Sequence, residues 1–545
     1  MIEYGYFTKQ DLDFPLTDNI KIFNNKNEKV LICNKNLPNA EIYAPEIDFY
    51  LKNSEDSTFE KIQNINKLYE IRGIKLDFAK YNEYAKEIDN TLLVIGSKEE
   101  IEPILNEVKE FETYFALPEW IESINGTIGN LQFTIKKDEK IKLNVAQAIW
   151  FNAPDIAFLQ NGIVDPTKNK KAIEIIKRRV GIYEYKNFVN YNENICQYKH
   201  RFLKETCGNC ADVCPTNAIL KDDESKELIF SHIDCDGCGG CVSVCPVGAL
   251  DFTQITRDSF SVITPLFKDN IPLLIAENLI ENCKVKLKEK VLPLSIEGRK
   301  FLDESHFISL IQESGSQIIF YSDVISKGEK EAIELINKIG ETIFKKPLIL
   351  IAQNEDELKK ALEIAKLDNN LFSHFSDFNK LKREIFTKRL SLWLNKDYVD
   401  LKYEGNYIHY GYVKIDDKKC TLCMSCATVC NAGAFIADEK GALIFDATYC
   451  TDCGYCEVAC PEKCIEVIYD NLVLNQDFYN KKVVAEDEPF CCIMCGKPFA
   501  PKKAIEKIAL ALNNVFTDEV RKKSIYYCEE CKPKLILQET IKEKL

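Results

Sequence analysis

The chain has 545 residues, 46% hydrophobic and 29% charged, the make-up of an ordinary globular protein with room for roughly three to five domains. A net charge of −14 disfavours nucleic acid as the main partner, because such binding rests on phosphate neutralisation; it suits a basic docking partner or plain solubility. The 24 cysteines are the departure from the ordinary: the first residues include Glu3 and Asp13 and no apolar stretch of the secretory kind, so they argue for metal in a reducing cytoplasm rather than for disulfides.

Residues 1–190 read as an α/β region. Lys29–Cys33 and Thr91–Ile95 have the apolar, β-branched content of short buried strands, and Gly96, Ser97 and a helical pattern over Glu99–Phe111 follow the second. No G-x-G-x-x-G stands behind that strand, so no dinucleotide site is expected. Cys33, Trp120 and Trp150 read as core residues.

Residues 191–254 change the chemistry. Cys235-x2-Cys238-x2-Cys241-x3-Cys245-Pro246 is a complete run, and Cys207-x2-Cys210-x3-Cys214-Pro215 is the same run without its leading cysteine, Lys204 standing in that place. Three thiolates at x2 spacing wrap one iron–sulfur cubane while the fourth, three residues on, ligates the neighbouring cubane. Cys196, eleven residues before Cys207, is the natural replacement ligand; His200 is the runner-up, since imidazole takes the place of thiolate in some clusters.

Residues 255–405 return to α/β. Pro272–Ala276, Val291–Ser295, Ile318–Tyr321 and Pro347–Ala352 read as strands of a buried parallel sheet, with helices over Lys327–Phe344, Asn354–Leu367 and Phe375–Leu394. Asp303, Glu304 and His306 read as a solvated loop opening a helix, and Cys283 as structural.

Residues 406–475 carry the intact copy: Cys420-x2-Cys423-x2-Cys426-x3-Cys430 and Cys450-x2-Cys453-x2-Cys456-x3-Cys460-Pro461. Asn431 replaces the proline that usually follows, which would loosen the loop without removing a ligand. Crossing the runs gives four ligand sets: Cys196, Cys207, Cys210 and Cys245; Cys214, Cys235, Cys238 and Cys241; Cys420, Cys423, Cys426 and Cys460; and Cys430, Cys450, Cys453 and Cys456. Residues 485–545 add Cys492-x2-Cys495 and Cys528-x2-Cys531, a set for one tetrahedral Zn²⁺ with a further iron site as the other reading, on either side of an amphipathic helix over Pro501–Leu512. Cys464 is a spare, and Cys491 an alternative to Cys492.

The expected architecture is therefore multidomain α/β and α+β: two bacterial-type dicluster ferredoxin modules, flanking α/β domains and a zinc-ribbon-like tail. Both cysteine-rich stretches resemble bacterial dicluster ferredoxins. The phrase Cys196-x3-His200-Arg201 with Cys207-x2-Cys210-x3-Cys214-Pro215-Thr216, the segment Phe301–Ser305 and Cys492-x2-Cys495-Gly496-Lys497-Pro498-Phe499 are similar to proteobacterial multi-cluster ferredoxin-domain proteins associated with formate dehydrogenase. In those relatives a histidine commonly follows the first cysteine by two residues; here Tyr198 stands there. The resemblance implies an electron-transfer or accessory role beside a formate-oxidising enzyme. The function expected is a relay of single electrons between redox partners through four 4Fe–4S clusters, with one structural Zn²⁺, no catalytic side chain, no nucleic acid and no transmembrane segment. The alternative is a client-binding assembly factor, or a subunit of a redox complex outside the electron path. Oligomeric state stays open.

Overall fold

The computed structural model describes the chain except residues 1, 11, 138, 398, 439, 440, 514 and 545. It divides into two compact units: residues 1–193, 198–200 and 208–389 form the first, and residues 194–197, 201–207 and 390–545 the second.

Three parallel four-stranded sheets build the first unit. The N-terminal one runs Ile20–Phe23, Ile2–Phe7, Val30–Cys33, Ala40–Tyr43. Cys33 is buried there among Phe7, Phe23, Val30 and Leu37. The second runs Ile163–Val164, Gln147–Trp150, Thr91–Ile95, Glu112–Ala116, and Trp150 packs in its core with Trp120 against it. The helix expected over Glu99–Phe111 is one turn, Lys98–Ile101, followed by a 3-10 turn at Glu102–Ile104. Pro103 is the cause, having no N–H to give to the helix ladder.

The third sheet runs Val291–Ile296, Ile271–Ala276, Ile318–Tyr321, Ile349–Ala352, all parallel, and every residue of its first two strands is buried. Helix Lys327–Phe344 has the bounds that its apolar period dictates, with a Ser326–Glu329 capping box at its start. Helix Glu355–Ile364 stops short of Leu367, which instead bridges to Ser316. The helix expected from Phe375 begins only at Lys382.

The cysteine runs sit on small repeated scaffolds. In the first unit, Val189–Tyr191 pairs antiparallel with Leu250–Phe252, Ile219–Asp222 with Glu227–Phe230, and the one-turn helices Asn209–Asp212 and Gly240–Ser243 carry Cys210 and Cys241. In the second unit the same order recurs: Tyr412–Ile415 with Ile465–Ile468, Phe435–Ala437 with Leu443–Phe445, and one-turn helices Ser425–Thr428 and Tyr455–Ala459 around Cys426 and Cys456. The tail of that unit is a ribbon, Pro489–Cys491 with Pro498–Pro501, and three helices, Lys502–Leu512, Glu519–Ser524 and Lys532–Lys544. No helix among the described residues is long and apolar enough to cross a membrane.

Candidate metal centres

In three of the runs the residues on either side of the middle cysteine take the left-handed backbone conformation: Gly237 and Gly239 around Cys238, Leu422 and Met424 around Cys423, Asp452 and Gly454 around Cys453. Leucine, methionine and aspartate bear a steric cost there that glycine does not. That local strain bends each run back on itself and turns its thiols inward.

The consequence is visible in two cavities. In the second unit, Cys430, Cys450, Cys453 and Cys456 all line one cavity, walled otherwise by residues that include Val413, Phe435, Tyr449, Tyr455 and Val467. In the first, Cys214, Cys235, Cys238 and Cys241 all line another. Each cavity combines three thiols from one run with the last thiol of the partner run. Cys420, Cys423 and Cys460 act electrostatically on Cys426, so the third set also gathers in the second unit. Cys464 joins it, its Sγ 3.6 Å from that of Cys460 and within hydrogen-bonding reach of Cys420. Of the remaining set, Cys196 and Cys207 belong to the second unit, and Cys210 and Cys245 to the first.

Burial, then the charge of neighbouring thiols, drives these groups up: Cys235 to about 11, Cys426 and Cys456 to about 12, Cys241 well above its ordinary value. Four thiols facing one another in an apolar pocket ionise together only around a cation. The cavity of Cys430, Cys450, Cys453 and Cys456 also contains an unspent donor: Arg201 is 2% exposed, and its Nε and Nη1 have no hydrogen-bond partner. Convergent thiols with a buried cation beside them fit an anionic iron–sulfur cluster.

Residues 194–197 and 201–207 are tied within the second unit. Asn431 Nδ2 donates to the carbonyl of Cys196 at 2.8 Å, Gln197 hydrogen-bonds Thr451, and the amide of Leu203 reaches Tyr455 Oη at 3.4 Å. The residue expected to loosen its loop therefore ties down the segment bearing Cys196, a role proline has no donor to perform. His200 is exposed, with a φ of 57°, and its amide donates to Lys226 at 3.2 Å.

In the tail, the sulfurs of Cys492, Cys495, Cys528 and Cys531 all lie within 4.8 Å of one another. Burial pushes the Cys492 thiol up, but amide N–H groups from Cys528, Cys495 and Met494 outweigh it and bring it down to about 6. Cys491 is exposed at the end of its strand. A second grouping of ligand types, His409, Asp452 and Asp470, spends its parts on internal bonds such as Asp470 N–H to Asp452 Oδ2 at 2.9 Å.

The Asp303–Glu304–His306 stretch corrects the sequence expectation. Asp303 does cap a helix, Glu304–Ser314, but it is buried, not solvated. Arg257 pairs with Asp303 at 2.9 Å, His306 Nδ1 lies 2.8 Å from it, and Lys382 pairs with Glu304 at 3.0 Å. The surrounding cations hold the Asp303 carboxyl well below its ordinary range, overcoming its burial. Lys382 Nζ also donates to the carbonyl of Cys245 at 3.0 Å, and Arg257 to that of Leu250 at 2.9 Å. The group thus braces the chain leaving Cys245. Lys382 is a residue with no signal in the sequence, and Arg201, which the sequence offers only as part of the Cys196–Arg201 phrase, carries no sign of its burial in the cavity wall; neither belongs to a ligand spacing.

Residues 205–255 match the family model of the 4Fe-4S dicluster domain. This is an iron–sulfur protein. The chain is 39% identical over 56 residues to the archaeal-type glutamate synthase (NADPH) of Thermotoga maritima, covering 10% of this chain and 11% of that protein. It is 29% identical over 143 residues to a Methanocaldococcus jannaschii protein described as an uncharacterized ferredoxin, 24% of this chain and 87% of the relative. A third likeness, 33% over 85 residues, is to hydrogenase-2 operon protein HybA of Escherichia coli O157:H7, 15% of this chain and 24% of HybA. Apart from the archaeal ferredoxin, the chain spans only a minor part of these relatives. The dicluster match and the likeness to a ferredoxin support iron–sulfur electron transfer.

Proposed function

We propose that the chain relays single electrons between redox partners through four 4Fe–4S clusters held in two dicluster ferredoxin modules, with one structural Zn²⁺ in the tail. The observation that carries this reading is the pair of cavities, each lined by a whole crossed set of four cysteines. The clusters exchange one electron each, at potentials set by nearby charge, hydrogen bonds and burial. The protein's own residues bind, insulate and tune; Arg201, Asn431 and Lys382 are placed for that work, and no side chain is assigned a bond-making role.

The first cluster takes Cys196, Cys207, Cys210 and Cys245, thiolate being the rule for this type and His200 being exposed. The partner is a redox enzyme of a reducing cytoplasm. Glutamate synthase and the hydrogenase-2 operon protein among the relatives support that class, and the Cys196–Arg201 phrase and the tail motif favour a formate-oxidising enzyme. Anaerobic purification should yield about four cubanes of iron and sulfide and about one zinc. Recovery of fewer than about three cubanes would remove the ligand map. Failure of the loaded protein to pass electrons to or from a formate-oxidising enzyme would refute that partner, and failure with every redox enzyme it captures would refute the relay.

A further inference from the structure

The cavity of Cys430, Cys450, Cys453 and Cys456 has in its wall one residue that cluster ligation does not call for. Arg201 is almost fully buried, and its guanidinium carbon lies 4.1 Å from the centre of the Tyr455 ring, at the start of the helix that carries Cys456. Stacking satisfies the face of a guanidinium but none of the N–H groups at its edge. Two of those nitrogens, Nε and Nη1, find no acceptor. A buried cation is costly unless an anion answers it. Asp452 stands in the same wall, but it accepts from the Asp470 amide at 2.9 Å and has His409 Nδ1 at 3.9 Å. The charge of Arg201 is felt at Cys453, one of the thiols of the cavity. An anionic cluster at the centre of the cavity supplies what the guanidinium lacks.

The matching cavity of the first unit differs at this point. No Arg or Lys lines it among the described residues; Asp236 and His232 stand there instead. Lys300 is felt at Cys238, but it is partly exposed and therefore screened by water.

We propose that Arg201 donates to the cluster held by Cys430, Cys450, Cys453 and Cys456 and raises its potential above that of the cluster held by Cys214, Cys235, Cys238 and Cys241. The inference rests on the reading that both cavities hold 4Fe–4S clusters. Reduction adds one negative charge to a site that is already anionic. A fixed cation and N–H donors stabilise the reduced form more than the oxidised form, so the electron comes to rest there. Arg201 is a positioning and tuning residue; the electron never resides on it.

The test is an anaerobic redox titration of the full chain, followed by electron paramagnetic resonance, on the wild type, Cys453→Ser, Arg201→Met and Arg201→Gln. Cys453→Ser identifies the signal of this cluster by removing or converting it. If its iron content and spectrum match the wild type, the cluster reading itself fails. With that signal assigned, Arg201→Met should make its reduction at least tenfold less favourable, 59 mV for a one-electron couple, while the other signals stay in place. Arg201→Gln, which keeps N–H donors without the charge, should shift it by less. An unmoved signal in both variants overturns the proposal, as does an equal shift of every cluster. If Arg201→Met fails to load, Arg201→Gln decides; failure of both to load assigns Arg201 a purely structural role and overturns the tuning.

Discussion

Glu329 gives the most quantitative handle on the scaffold. It is the third residue of helix Lys327–Phe344, and its Oε2 accepts from the amide and the hydroxyl of Ser326 at 2.9 and 3.0 Å. Its Oε1 has no partner, and the side chain is fully buried. Burial raises its pKa from 4.5 to about 8, against the pull of the Ser326 bonds. The folded state therefore keeps a proton between those values that the unfolded chain releases. Its contribution to stability is fully present below 4.5 and is lost as pH rises toward 8, at up to about 1.4 kcal/mol per pH unit, so about 5 kcal/mol across the window. The helix start it caps packs on the cluster scaffold: Ser326 Oγ lies 3.4 Å from Ser243 Oγ, and a Cβ on Gly328 would come within 2.5 Å of the same atom. Glu329→Gln keeps an acceptor for Ser326 and removes the titration. Thermal unfolding of the loaded protein, followed by calorimetry from pH 5.5 to 8.5, should show a wild-type transition that falls with pH relative to the variant. At the alkaline end the variant should be more stable by about 2–4 kcal/mol. Parallel pH profiles would refute the argument, because they would mean that Glu329 is ionised throughout or is hydrated.

Three further outcomes follow from the same geometry. Lys382→Met leaves Glu304 without its buried cation and the Cys245 carbonyl without its donor, and should cost about 3–5 kcal/mol; a loss below about 1 kcal/mol by chemical denaturation would show the network to be self-compensating. Cys464 stands 3.6 Å from Cys460 at the start of a strand, with its carbonyl pinned by the Asp416 amide. Cys460→Ala should therefore keep its cluster, with the Cys464 thiol giving up its proton to bind iron, while Cys460→Ala/Cys464→Ala should lose about four irons; equal iron loss in the single variant would rule the spare ligand out. Cys528→Ser should release the zinc and unfold the tail while the iron content stays constant, and loss of iron instead would reassign the tail as an iron site.

The iron–sulfur character of residues 205–255 was legible in the sequence because cysteine spacing is local: x2 and x3 intervals constrain the backbone whatever surrounds them. The strands Ile271–Ala276 and Val291–Ile296 were legible for a similar reason, since a continuous apolar run has few other places to go. The helix over Glu99–Phe111 failed at Pro103, where apolar period outweighed a missing donor in the reading and did not in the fold. The start of the last helix of the first unit was misplaced because Phe375–Leu381 is held by long-range bonds: the Phe375 amide donates to Glu313 at 3.1 Å, and Asp377 pairs with Arg389 at 2.7 Å.

Charge was the harder matter, since a sequence does not say which ions are buried. Asp303, Glu304 and His306 look solvated as a string because their counter-ions, Arg257 and Lys382, lie 46 and 78 residues or more away. The partners of Arg201 and Asn431 hide for the same reason: Arg201 lies beside Cys453 and Asn431 bonds the Cys196 carbonyl, both far away in the chain. Ligand spacing accounts for where clusters can be held, and distant buried charge for how readily each accepts an electron. Two crossed sets of identical thiols would give near-equivalent sites if ligation alone set their properties. A buried guanidinium lines one cavity, and among the described residues no Arg or Lys lines the other, which breaks that equivalence in a way that no cysteine motif encodes.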